Sequence, residues 1–253
     1  AISDGKIVEI GSVSDSGTEE IDARGKLVAP GFVDVHSHYD GQAIWDNRLL
    51  CSGWHGITTT VMGNCGVGFA PVRPEDRETL VELMEGVEDI PGPVMREGLS
   101  WDWTTFPEFM DALERRPHDI DLCAQLPHSA LRVYVMGERA VKREEATAED
   151  IAEMRRLTEE AMHAGAFGFT TSRTLNHRTL KGELIPSMGA TLEEFAGVAK
   201  GLSDAGKGVL QIIADLPPET RAHEFSIMRG MVEACGRPLS ATVLQRNTDP
   251  DGF

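Results

Sequence analysis

Short apolar runs and longer periodic stretches alternate along most of the chain. "TAEDIAEMRRLTEEAMHAG" sets Ile151, Met154, Leu157 and Ala161 on one helical stripe, behind a Thr147/Asp150 cap signature and ahead of Gly165. "AFGFTTS" follows as a buried strand. The punctuation then repeats: Thr191 and Glu194 cap a helix striped by Phe195, Val198 and Leu202, Gly206 ends it, and "GVLQII" is the next strand. A third helix carries Phe225, Met228, Met231 and Val232 on one face and stops at Gly236 before "LSATVL". With "GFVDVHSH", "GITTTVMG" and "IDLCAQL" upstream, six strands are predicted, at about 32–38, 57–63, 120–126, 166–172, 208–213 and 239–244.

Strands alternating with helices predict a parallel sheet, and the period fits a TIM-like (β/α)8 barrel. Six strands leave it two short, so an incomplete barrel is expected. The abrupt opening on "AISDGKIVEIG" and close on "NTDPDGF" read as a chain cut at both ends. Residues 6–13 and "KLVAP" read as short strands outside the barrel. Residues 64–118 are irregular and proline-rich apart from the acidic helix "EDRETLVELMEGVEDI", and form a long insertion after the second barrel strand.

Composition narrows the function. The 253 residues are 41% hydrophobic and 26% charged, an ordinary globular balance. The net charge of −17 argues against nucleic acid or an anionic membrane surface as partner. No apolar run has the length of a membrane span, and no basic-then-apolar leader opens the chain. Cys51, Cys65, Cys123 and Cys235 form no CxxC pair, which fits reduced thiols in a cytoplasm. An open barrel exposes apolar edges, so this stretch alone is expected either to be unstable or to associate, a homo-oligomer being one form of the second.

In "FVDVHSH" the side chains of Phe32, Asp34, His36 and His38 share one face of an extended chain, and Val33 and Val35 the other. With the valines against outer helices, the histidines point into the barrel at a strand's C-terminal end. Neutral imidazoles bind Zn²⁺ at about 2.0–2.1 Å, so His36 and His38 can share one ion, with Asp34 as an orienting partner. The next strand ends in "GNCG", where Cys65 has glycine freedom on both sides and could be held as a thiolate. The alternatives are a pair of surface histidines and a small buried thiol. After the fourth strand, "TSRTLNHR" supplies Ser172 and Arg173, and an arginine fork suits a substrate carboxylate as well as a local salt bridge. Trp101 and Trp103 either line a pocket or anchor the insertion, the second being the plainer role.

"VAPGFVDVHSHYD" followed by "GITTTVMGNCGVGFAPV" resembles the amidohydrolase superfamily, and within it the N-acyl-D-amino-acid deacylase (D-aminoacylase) branch. "GAFGFTTSRTLNHRTLKGELIPSMGAT", "LQIIAD" and "ATVLQ" are similar to the same branch. The resemblance implies a small β-sandwich built from both chain ends, of which residues 1–29 are a fragment, and a metal-bearing barrel over 30–253. It implies hydrolysis of the linear amide of N-acyl-D-amino acids. It maps His36, His38 and Cys65 onto metal ligands and places the proton-shuttling aspartate beyond Phe253. The pattern departs at the fifth and sixth strands, which offer Gln211, Asp215 and Gln245 where the branch uses histidines. His163 and His223 lie in helices, His118 and His128 flank the third strand, and His177 follows the fourth. One zinc ion is therefore expected rather than two. The competing readings are another amide substrate, such as a cyclic imide or an isoaspartyl peptide, and a barrel that binds without catalysing.

Overall fold

In the computed structural model, described over residues 1–243, the alternating pattern folds as one parallel sheet. Its strands are β3 (Phe32–Asp34), β4 (Ile57–Met62), β5 (Asp121–Pro127), β6 (Gly168–Arg173), β7 (Val209–Ala214) and β8 (Leu239–Thr242), hydrogen-bonded in that order. All five pairings are parallel, and the curl brings the end of β8 back toward the chain after β3, with Thr242 Oγ1 3.5 Å from His36 Nδ1. This is an incomplete TIM-like barrel, as the strand count predicts. Gln245 and residue 244 of the sixth expected strand lie outside the described residues.

Residues 1–31 form a separate unit holding a two-stranded antiparallel hairpin, β1 (Ile2–Ser3) and β2 (Lys6–Ile7). The strand expected over 6–13 shrinks to two residues, and "KLVAP" forms none. Val8, Leu27 and Val28 are exposed, so these segments bury too little apolar surface to extend the pairing beyond two residues a strand.

The helices follow their stripes. Helix Ala148–His163 starts on a complete Thr147/Asp150 capping box and buries Met154, Leu157 and Ala161. Helix Leu192–Asp204 buries Phe195, Val198 and Leu202, and helix Arg221–Cys235 buries Met228 and Met231, whereas Phe225 is exposed. The insertion is more ordered than its prolines suggest, with helices Arg77–Glu88, Gly92–Gly98 and Phe106–Glu114. Trp103 anchors it: the ring is buried on Phe109, and Nε1 donates to the Phe69 carbonyl at 2.8 Å. One expectation fails at β3. Val33 and Val35 do not pack against helices but stand exposed, on a strand that among the described residues is the edge of the sheet and pairs only with β4. Among the described residues no helix is long and apolar enough to cross a membrane.

On the helix-facing side of β6 lies a buried polar network. Arg132 Nη1 donates to both Glu194 oxygens, at 2.8 and 2.7 Å. His128 bridges Glu194 Oε1 (2.9 Å) and Thr171 Oγ1 (2.8 Å). Burial holds His128 below its ordinary pKa of 6.5 although Glu194 pulls the other way. Below about pH 6.5 the unfolded chain therefore takes up a proton that the folded chain resists. The contribution of His128 is complete above that pH and is lost as pH falls toward the folded pKa. A His128→Gln variant is expected to lose stability less steeply than the parent between about pH 6.5 and 4.5 in stepped denaturant melts. Parallel slopes would rule this out.

Candidate metal centre

The chemistry-bearing side chains gather where parallel strands end. His36 and His38 follow β3, Cys65 follows β4, and His177 follows β6. That is the face on which barrels of this kind place their sites. His36 Nε2 lies 3.2 Å from Cys65 Sγ, and the His36 and His38 rings meet edge to face with centroids 5.4 Å apart. One donor atom from each of His36, His38 and Cys65 falls within 4.8 Å of the others.

The turn carrying Cys65 is built for one conformation. Gly63, Cys65 and Gly66 all have positive φ, at 80°, 58° and 69°. A Cβ on Gly63 would sit 2.4 Å from the Gln125 carbonyl oxygen, and one on Gly66 would sit 2.9 Å from Thr171 Cα. Cys65 has no glycine exemption, and a left-handed non-glycine residue costs roughly 1–3 kcal/mol, a strain that concentrates at functional positions. Inward-facing side chains hold the turn. Gln211 Oε1 accepts the Cys65 N–H at 3.1 Å, Thr170 Oγ1 accepts the Gly66 N–H at 3.1 Å, and the Thr170 hydroxyl donates to the Gly63 carbonyl. Asp40, buried below, accepts the Gly63 N–H at 3.0 Å, and burial raises its pKa to about 7. Asp34 accepts the His36 N–H at 3.1 Å and so fixes the backbone that presents that ring.

The surroundings of these groups decide their charge. Burial, then the neighbouring His36 and His177, bring His38 down to about pKa 3, and burial also lowers His36. Both imidazoles are thus neutral, the form that binds metal. His38 Nδ1 is buried without a hydrogen-bond partner. Its Nε2 lies 3.3 Å from Glu88 Oε1, a contact that is no ion pair while the ring stays neutral. Burial, with Glu88 and Asp40 nearby, pushes the Cys65 thiol up to about 12. Such a sulfur becomes a thiolate when a cation offsets its charge, as metal coordination does. Two neutral imidazoles and a thiol in van der Waals reach of one another match the nitrogen and sulfur preference of zinc.

The remaining candidates fall where their sequence context puts them. His118 Nε2 contacts the Ala43 carbonyl, His163 is exposed beside Glu159, and His128 belongs to the buried network. Asp215 accepts from Thr174 Oγ1 and the Leu175 N–H, holding the loop after β6. Ser172 is fully buried, its Oγ 2.8 Å from His177 Nδ1. Arg173 is clamped by Glu224 through Nε (2.6 Å) and Nη2 (2.9 Å).

The match to known proteins decides the family. Residues 19–251 match the amidohydrolase family. The chain belongs to that family. The D-aminoacylase of Alcaligenes xylosoxydans xylosoxydans is 33% identical over 202 residues, covering 79% of this chain and 37% of that protein. The N-acyl-D-aspartate deacylase of the same organism is 35% identical over 172 residues, 68% of this chain and 32% of that one. The structure of N-acyl-D-glutamate deacylase from Bordetella bronchiseptica, with zinc and a phosphonate inhibitor, superposes with a TM-score of 0.67 at 26% identity. That superposition covers 86% of this chain and 40% of the other. The chain spans about two fifths or less of these relatives' lengths.

Sequence reasoning missed one member of this amidohydrolase's cluster. Glu88, the last residue of helix Arg77–Glu88, reaches the site from the insertion and forms a second donor group with Cys65 and His177. In sequence it was one carboxylate in an acidic helix, with no local signal to separate it from its neighbours.

Proposed function

We propose that the protein containing this chain is a metal-dependent hydrolase that cleaves the linear amide of N-acyl-D-amino acids, releasing a D-amino acid and a carboxylate. The observation that carries the reading is the convergence of neutral His36, neutral His38 and strained Cys65 at the strand ends. These three residues would hold zinc. The ion, when bound, supplies Lewis-acid polarisation of the amide carbonyl and a water acidic enough to attack near neutral pH. Asp34 fixes the segment that presents His36, and Gln211 fixes the backbone that presents Cys65. Glu224 takes two of the three guanidinium nitrogens of Arg173, so Arg173 meets the substrate carboxylate through Nη1 and is held rigid for it. Ser172 lies beside it and acts by holding His177. The names of these relatives favour this substrate class over a cyclic imide or an isoaspartyl peptide.

The test is turnover of matched N-acetyl-D- and N-acetyl-L-amino acids by the zinc-loaded full-length protein. Hydrolysis of the D-series is expected. Activity confined to the L-series would reject the substrate class, and a protein that takes up no metal would reject the mechanism.

A further inference from the structure

His177 reaches the site from the loop after β6, and its two ring nitrogens are in different situations. Nδ1 lies 2.8 Å from Ser172 Oγ, whereas Nε2 has no hydrogen-bond partner among the described residues. Ser172 decides which nitrogen carries the hydrogen. It is fully buried, and among the described residues its hydroxyl oxygen otherwise meets only the Thr174 N–H, a donor at 3.4 Å. The Ser172 hydroxyl hydrogen therefore has one acceptor, His177 Nδ1, and a neutral ring must carry its own hydrogen on Nε2. A ring protonated on both nitrogens would have the same Nε2–H, so this donor does not depend on the charge of the ring. Proximity alone groups a ring nitrogen of His177 with Cys65 and Glu88 within 4.8 Å. With Nδ1 occupied and a hydrogen on Nε2, however, the ring has no free lone pair to give an ion.

We propose that His177 is a catalytic residue and not a metal ligand, its Nε2–H donating to the scissile carbonyl oxygen of the substrate as negative charge gathers there. This rests on the reading of the site as an N-acyl-D-amino-acid hydrolase given above. Placement selects that oxygen over the substrate carboxylate. A ring nitrogen of His177 stands within 4.8 Å of Cys65 Sγ, in the cluster that also holds His36 and His38, while Arg173 Nη1 serves the carboxylate. The loop that carries the ring is held firmly. Asp215 accepts the Thr174 hydroxyl at 2.9 Å and the Leu175 N–H at 2.8 Å, and Arg178 is tied back to the Leu175 and Gly182 carbonyls. Gly86 lets helix Arg77–Glu88 pack on the same loop, since a Cβ there would sit 2.4 Å from the Arg178 carbonyl oxygen. The N–H is thus fixed before substrate arrives, which is what stabilising a developing oxyanion requires. Ser172 is the positioning residue that sets the tautomer.

Two measurements on the full-length protein test this. In the metal-free wild type with isotope-labelled histidine, long-range proton–nitrogen NMR correlations should place the His177 hydrogen on Nε2, and Ser172→Ala should abolish that preference. A hydrogen on Nδ1 in the wild type would overturn the proposal. In the zinc-loaded protein, His177→Phe is expected to keep the wild-type metal content and a KM for an N-acetyl-D-amino acid within about twofold, while kcat falls about a hundredfold, the usual loss for one such donor. His177→Gln, which returns an N–H near the Nε2 position, should recover about tenfold of that loss. A metal equivalent lost with His177→Phe would make the ring a ligand, and a raised KM at unchanged kcat would place it on the substrate carboxylate; either result overturns the proposal. So does a His177→Phe protein as fast as the parent, an outcome that leaves the hydrolase reading intact. A wild type that turns over no N-acyl-D-amino acid overturns both.

Discussion

Replacing His38 with alanine is expected to remove the ion held by His36 and His38 and to lower kcat/KM about a thousandfold. That is roughly 4 kcal/mol of transition-state stabilisation at about 1.36 kcal/mol per tenfold, within what a polarising metal contributes. The fold should hardly notice. Nδ1 of His38 has no hydrogen-bond partner to strand, and its Nε2 contact with Glu88 is between a neutral ring and a carboxyl whose own pKa burial raises to about 7. Loss of stability in the metal-free protein should therefore stay near about 1 kcal/mol, an ordinary figure for a point substitution. The exposed His223, in the first turn of helix Arg221–Cys235 and in none of the donor groups among the described residues, is the matched control and should leave metal content and activity unchanged when made alanine. A His38→Ala protein with full zinc content and undiminished turnover would sink the assignment. So would a His223 variant that loses as much.

The parts of the site that could be read in sequence are those fixed by short-range geometry. Two histidines two residues apart share a face on any extended chain, and "GNCG" announces a turn at a strand end, so the place of His36, His38 and Cys65 at strand ends was legible in the sequence, while their reading as ligands came from the family resemblance. Glu88 was not, because its place depends on how a 55-residue insertion packs back onto the barrel mouth, which no local pattern encodes. The strands were legible in position and count but not in extent. β3 was expected to run to His38 and stops at Asp34, since beyond that point the backbone pairs through isolated contacts such as the Ser37 N–H to the Val61 carbonyl. Glu194 shows a different limit. Thr191 and Glu194 read as a reciprocal cap, and the structure keeps half of it. The Thr191 hydroxyl accepts the Glu194 N–H at 3.3 Å, while the Glu194 carboxylate turns inward to Arg132 and His128, partners more than sixty residues away.

That inward turn sets the largest stability effect expected in the molecule. Glu194→Ala would leave the Arg132 guanidinium, which is fully buried, without its counter-charge. Burial already pulls Arg132 below its ordinary pKa, with Glu194 the main group opposing that pull. The Arg132 Nε has no partner, so what would remain is the Nη2 hydrogen bond to the Glu144 carbonyl at 2.6 Å. Removing one member of a buried pair costs about 3–5 kcal/mol, mostly the desolvation of the ion left behind. At roughly 2–4 °C per kcal/mol for a unit of this size, Tm should fall by on the order of 10 °C. His128 would lose its Nε2 partner in the same substitution, which adds to the cost. The magnitude does not mean that the pair itself is strongly stabilising, and a second variant separates the two. Glu194→Leu combined with Arg132→Met removes both charges and should recover much of the loss, because an apolar pair of similar volume often matches a buried ion pair. A single Glu194→Ala variant as stable as the parent would show that water or a shifted side chain compensates Arg132. A double variant no better than the single would show that the network fixes the packing of the helices beneath β6 and not merely its own charges.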